Sequence, residues 1–301
     1  MRPIRAFTAI ICTHARPHYL AACLAGLSAQ QGGACDIIVV DSASGGPAAA
    51  EIAKLARAAG ARLIRTERAG LSHARNLGLA ASDAAWTAFL DDDAVAAPDW
   101  ASRMAEAIAA LPPEASALGG RIIPEWESPL PGWWPPALRG VLTIVEWDGR
   151  GEEGRDLPAG VAVYGANMAF RTAALDAIGG FPENLGRIGR RLLSGEEVEV
   201  LDRLRATGHR VVYDGSVTVR HSIQAERLVP GWLLSRLHWQ GATDALRDRR
   251  HGKARRAPGA AAKLLLQAPL LLVPARATSL LRARCGAAYN LGYLRGALQS
   301  G

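Results

Sequence analysis

Apolar and polar positions along the first hundred residues switch between two periods. Short apolar runs of strand length, Phe7–Ile11, Ile37–Val40, Arg62–Ile64 and Trp86–Leu90, alternate with segments whose apolar residues recur at helical spacing, as in a parallel sheet with crossover helices. Pro17 suits a first helical position, and Leu20, Cys23, Leu24 and Leu27 then fall on one face before Gly32–Gly33 ends the pattern. Ala48–Ala59 reads as a second helix with a Gly60 stop. Ser72 is expected to cap a third, carrying Ala74 and Leu77, and Pro98 and Trp100 open a fourth, closed by Pro112–Pro113.

Beyond that point the pattern changes. Pro124–Pro136, with Trp126, Trp133 and Trp134, reads as an irregular excursion. Strand signals return at Val161–Arg171, Arg210–Tyr213 and Val217–His221, with a helix from about Glu196 to Ala206. The last 60 residues are rich in Arg, Ala and Leu and helical in propensity. The expected fold class is α/β, a mostly parallel sheet flanked by helices over residues 1–225, followed by a basic helical C-terminal extension over 226–301.

Charge sharpens that division. The chain has 35 Lys+Arg against 28 Asp+Glu, but residues 241–301 hold eleven basic residues and two Asp, so residues 1–240 are near neutral. A basic tail suits an anionic membrane surface or an acidic partner, whereas a nucleic-acid enzyme would carry its basic residues around the cleft; no nucleic-acid partner is expected. Cys12, Cys23, Cys35 and Cys285 have no metal or redox spacing, which fits a reducing cytosol. No cleavage-site pattern follows Met1–Arg5, and the apolar run Leu264–Ala275 is broken by Gln267, Pro269 and Pro274, too short for the roughly 20 residues a bilayer span needs.

The chemistry centres on Asp91-Asp92-Asp93 at the end of an apolar strand. Ligands of open α/β sheets bind beyond the carboxyl ends of strands. Three adjacent carboxylates repel unless a cation neutralises them, and hard oxygen ligands suit Mg²⁺ or Mn²⁺, which in turn binds a diphosphate. An acidic turn after a strand is the plain alternative.

Further motifs recur at strand ends: T-x-x-R-P-x-x-L-x-x-C-L over Ile11–Leu24, V-V-D-S-x-S over Val39–Ser44, G-L-S-x-A-R-N-x-G over Gly70–Gly78, F-L-D-D-D over Phe89–Asp93, and Gly195-Glu196-Glu197. In this order the motifs resemble those of inverting family 2 glycosyltransferases with the type A fold, from about Thr8 to His221. The resemblance implies a nucleotide-binding half over 1–110 and an acceptor and sugar half over 111–225. It implies Thr13 and Arg16 at the nucleotide, Asp41 reading the base, Arg75 holding the nucleoside or diphosphate, Asp91 and Asp92 at the donor, and Asp93 at the metal. Asn167 falls in the segment Gly165–Arg171 that matches the family's sugar pocket, where it binds a hydroxyl or satisfies backbone groups.

An inverting transfer needs a base for the acceptor proton. Family members carry a Glu-Asp pair at a helix start, where this chain has Glu196-Glu197; position assigns the base to Glu197, with Glu196 as the alternative. Ser194 and Glu197 also have capping-box spacing, so Glu197 could instead bond its own helix start. His221 ends a V-x-V-x-H strand, where the resemblance implies a histidine that completes the metal site or contacts the diphosphate, and otherwise it is a polar strand-end residue. The expected partners are a nucleotide-diphosphate sugar, UDP before GDP or dTDP, and an unidentified hydroxyl acceptor. A membrane surface met through residues 247–276 and a homodimer are left open, and the expected location is cytoplasmic, at the inner face of the membrane. Two rivals are weighed: a sugar nucleotidyltransferase, for which Thr13–Pro17 lacks the glycines of a triphosphate loop, and a non-catalytic nucleotide-sugar-binding protein, which would lose Asp91, Asp93 or Glu197. Trp126–Trp147 either stacks on an acceptor or is core.

Overall fold

The structure, a computed structural model, describes residues 6–187, 192–252, 257–271 and 278–298. Strands β1 (Phe7–Thr13), β2 (Asp36–Ser42), β3 (Arg62–Thr66) and β4 (Trp86–Asp91) are linked by helices α1 (Pro17–Ser28), α2 (Gly46–Ala58) and α3 (Leu71–Ala80). They pair in parallel in the order β3-β2-β1-β4. The chain continues through β5 (Ala94–Ala96), α4 (Trp100–Ala109), β6 (Ala115–Trp126), β7 (Arg150–Glu152), β8 (Met168–Arg171), α5 (Thr172–Ala177), α6 (Glu196–Ala206) and β9 (Arg210–Ile223). Past β4 the sheet runs β8-β6-β9-β5, with β7 also on β9. The parallel pairing therefore covers the first half, and β4/β8, β6/β8, β5/β9 and β7/β9 are antiparallel.

The central strands are apolar without a break because both faces are covered. Ile11 and Val39 join Leu20, Leu24, Ile52, Trp100 and Met104 in one layer, while Ile10 and Val40 join Ala74, Leu79, Val200 and Leu204 in the other. α3 sits close on β1: a Cβ at Gly78 would lie 2.5 Å from Cγ2 of Ile10.

Several expectations change in detail. Gly70, with φ of 152°, is the residue before α3, so Ser72 lies buried in the first turn instead of capping it. Only Met168–Arg171 of the stretch from Val161 is strand, because Val161 and Asn167 donate their amides to Pro158 and Tyr164 in turns. The two strands expected over Arg210–His221 are one, continued through Asp214, whose carboxylate accepts from the Ser216 amide. β6 runs on to Trp126, so the irregular stretch starts later than Pro124.

The chain divides into two compact units, Met1–Glu125 with Thr143–Asn184 and Glu196–Ser222, and Trp126–Leu142 with Leu185–Gly195 and Ile223–Gly301. In the second, α9 (Thr278–Leu298) packs against both α7 (Pro230–Arg250) and α8 (Ala257–Leu271). α7 and α9 meet at backbone distance, since a Cβ on Gly292 would fall 1.8 Å from the His238 carbonyl oxygen. Of the tail segments singled out in the sequence, 253–256 and 272–275 lie outside the described residues. Among the described residues no helix is long and apolar enough to cross a membrane.

Candidate active site

The carboxyl ends of the parallel strands lie side by side because β1 stands between β2 and β4 in register: Thr13 pairs with Asp41, and Cys12 with Asp91. Each strand end hands its polar residues to a neighbour. The Thr13 hydroxyl donates to Oδ2 of Asp92 at 2.7 Å, and Arg16 forks onto both Asp92 and Asp93, reaching Oδ2 of Asp93 at 3.0 Å. Thr13, Asp92 and Asp93 are all buried. Burial, with Asp93 and Asp91 adding like charge, raises the Asp92 carboxyl to about 6 against the opposing pull of Arg16 and Thr13.

Asp93 turns its other oxygen to His221. Oδ1 lies 3.4 Å from Nε2 of His221, on the strand β9 that pairs with β5 directly after Asp93. Both side chains are 2% exposed, and Nδ1 of His221 is buried without a hydrogen-bond partner. A carboxylate and an imidazole at this separation are a donor pair that suits a divalent cation, and the imidazole favours a transition metal.

A second network starts from Arg75 on α3. Its guanidinium donates to Oδ1 of Asp91 at 3.2 Å and to Oε1 of Glu196 at 2.8 Å, and it lies over the Phe181 ring. Burial disfavours its charge, but Glu196 and Asp91 outweigh that cost and hold it protonated. The acidic run and the start of α6 thereby meet at one cation. A Cβ at Gly165 would run into Arg75 Nη2, so a larger residue there would displace the guanidinium from Asp91 and Glu196.

Glu197, next on α6, is partly exposed, but its Oε2 is buried without a partner, as is Oε2 of Glu196. Burial foremost, then the Glu196 charge, raises the Glu197 carboxyl to about 8 in spite of Arg75. A carboxyl poised near neutral is suited to exchanging a proton with a ligand hydroxyl.

Asp41 is 1% exposed and accepts the Ser44 amide at 3.1 Å, with Arg65 Nη1 3.9 Å away. Asn167 stands apart from these groups. Its side-chain amide donates to the carbonyls of Arg121 and Val217 and accepts from the Trp100 indole at 3.0 Å, fully buried. Of the two readings open for it, the structure supports the satisfaction of core groups and not a hydroxyl site. Trp134 is buried, and Trp147, partly buried, stacks on Tyr213 at the edge of the core.

Sequence reasoning had given no role to Ser42, Ser44, Arg65, Gly165 or Phe181. Ser42 takes the Gly70 amide, Ser44 takes the Ala15 amide, and Arg65 donates to the Ser44 carbonyl, so V-V-D-S-x-S ties three strand-end loops together. The two serines were visible in the motif; Phe181 lies outside every motif.

The family model described as Glycosyl transferase family 2 matches residues 8–178. Over 183 residues the chain is 31% identical to the glucosyl-dolichyl phosphate glucuronosyltransferase of Haloferax volcanii, a match covering 60% of this chain and 57% of that protein. The chain thus spans little more than half the length of that curated relative. Among solved structures it is similar to a mannosyltransferase from Pyrobaculum calidifontis in complex with GDP-Man and Mn²⁺, with a TM-score of 0.63 and 19% identity, covering 98% of this chain and 88% of that one. At that identity the likeness is one of fold.

Proposed function

This chain belongs to glycosyl transferase family 2, and from that premise we propose that it is an inverting glycosyltransferase moving a sugar from a nucleoside diphosphate to an acceptor hydroxyl. The observation that carries the reading is the Arg75 bridge, which gathers Asp91 and Glu196 from distant stretches of the chain around one guanidinium. A nucleotidyltransferase or a passive binding protein has no need for the raised carboxyl of Glu197 beside that bridge.

The proposed roles are those the family resemblance implies, and the geometry of the strand ends supports them. Asp41, set by Ser44 and Arg65, is assigned to the base; Asp91 and Arg75 to the nucleoside and diphosphate. Thr13 and Arg16 fix Asp92 and Asp93. Asp93 and His221 are the residues that would hold a divalent cation, which when bound supplies positive charge to the departing diphosphate; the imidazole favours Mn²⁺ over Mg²⁺, and the Pyrobaculum protein holds Mn²⁺. Glu197 is the proposed base, taking the acceptor proton while the nucleotide leaves from the other face.

A UDP-sugar is the proposed donor, with a GDP-sugar as the competitor that the Pyrobaculum complex supports. The proposed acceptor is a lipid-linked sugar, like the glucosyl-dolichyl phosphate named for the Haloferax relative, and the proposed setting is the inner face of a membrane. The test is release of nucleotide from UDP-, GDP- and dTDP-sugars with Mn²⁺, with the anomeric configuration of the product read by NMR. Turnover undiminished in excess EDTA, or retention of configuration, overturns the reading.

A further inference from the structure

Helix α8 packs Ala257 and Ala260 inward and turns a second apolar stripe outward. Its one uncharged polar side chain, Gln267, points inward, with Oε1 accepting from Asn290 of α9 at 3.1 Å and its amide against Gly286. The outward stripe is Ala262, Leu265, Leu266 and Pro269, all exposed, with Leu265 at 76% and Leu266 at 81%. That i, i+3, i+4, i+7 spacing is the one a water-soluble helix normally turns to its core. The only charge on α8 is Lys263, exposed beside the stripe, where its stem can lie along an apolar phase while its ammonium reaches a polar layer.

We propose that the Ala262–Pro269 stripe of α8 docks on an anionic lipid surface. Charge identifies the occupant. From residue 223 onward the sequence carries 13 Lys+Arg against 3 Asp+Glu. Two of the three acids are turned into the helix pack: Asp244 accepts from the Tyr289 hydroxyl at 2.7 Å, and Asp248 from the Tyr293 hydroxyl at 2.8 Å. The unit therefore presents leucines with a basic surplus, the combination by which helices lie in an anionic headgroup layer. A second copy of this chain would bring the same positive surplus against itself, and such pairing is opposed by like-charge repulsion. The inference deepens the proposed membrane setting and does not depend on which sugar is transferred.

The test is flotation of the full-length protein with vesicles of phosphatidylcholine alone and of phosphatidylcholine with 30% phosphatidylglycerol, at low and high salt. Wild type is expected on the anionic vesicles at low salt and to be released severalfold by high salt. The double variant Leu265→Gln/Leu266→Gln is expected to bind about tenfold more weakly, with an unchanged melting temperature, since both side chains are exposed. Wild type that stays in solution with anionic vesicles overturns the proposal, as does a double variant that floats like wild type. A wild-type dimer by light scattering that the double variant dissolves, without vesicle binding, assigns the stripe to a second copy and overturns it too. Nucleotide release from a soluble donor, measured on both proteins, separates this outcome from failure of the glycosyltransferase reading: loss of release in wild type sinks that reading and leaves vesicle binding as it was.

Discussion

A carboxyl held near 8 has opposite consequences for folding and for catalysis. Glu197 has an ordinary value of 4.5 and is raised to about 8 in the folded chain. The folded state then binds the proton more tightly than the unfolded state, so stability from this site is full below about 4.5 and lost as pH rises toward 8. Turnover runs the other way, because a base must be free of its proton, and kcat/KM is expected to climb with pH up to about 8. Glu197→Gln removes both effects. It should cut turnover by about 10²–10⁴ while keeping donor affinity, and should raise the melting temperature at pH 8 by at least about 2 °C. A variant that is inactive but no more stable contradicts the buried orphan oxygen; if Glu196→Gln is inactive and Glu197→Gln is not, the base shifts by one residue.

At the scale of elements, α3 is the piece on which the proposed donor binding turns, since it carries Arg75 and rests on β1 through Gly78. Replacing Gly by Ala in a helix interior usually stabilises by about 1 kcal/mol. Here the added methyl would come within 2.5 Å of Ile10, and overpacking of a full core costs about 1–3 kcal/mol, so the clash wins. Gly78→Ala is expected to lower stability and, by lifting Arg75 off Asp91 and Glu196, to weaken donor binding; calorimetry and donor titration read the two effects separately. The elements themselves were largely legible. β1, β2 and β4 stood out because strands buried on both faces are apolar in their cores, and α6 begins and ends where Glu196–Ala206 predicted. Ser72 misled because a serine ahead of an apolar helix looks like a cap, while Gly70, free to adopt its positive φ, takes the turn. Asn167 misled because a buried asparagine at a strand start looks alike in sequence whether it meets a ligand or, as here, the Trp100 indole. The acidic run could be read from Asp91–Asp93 alone; its tie to Glu196 through Arg75 could not, because spacing along the chain does not say which cation a carboxylate meets.

At the scale of the molecule, one sheet does two jobs. Its parallel half presents Thr13, Asp41 and Asp91 at adjacent strand ends, and its antiparallel half returns the chain so that His221 meets Asp93. The pairing of Ala94 with His221 makes this meeting a matter of counting residues. Deleting one residue from Val217–Arg220 would turn the imidazole to the opposite face of β9, since side chains alternate with a period of two. Deleting two would restore the face but draw it about 7 Å along the strand. Both deletions should abolish the thermal shift caused by Mn²⁺ in chains that still melt cooperatively, whereas a deletion of equal size in the irregular stretch at 127–133 should leave it. Chain length in β9 is therefore itself heritable information about the proposed metal site: a reading frame that keeps every side chain but miscounts the spacer by one separates His221 from Asp93 as surely as a substitution of His221 does.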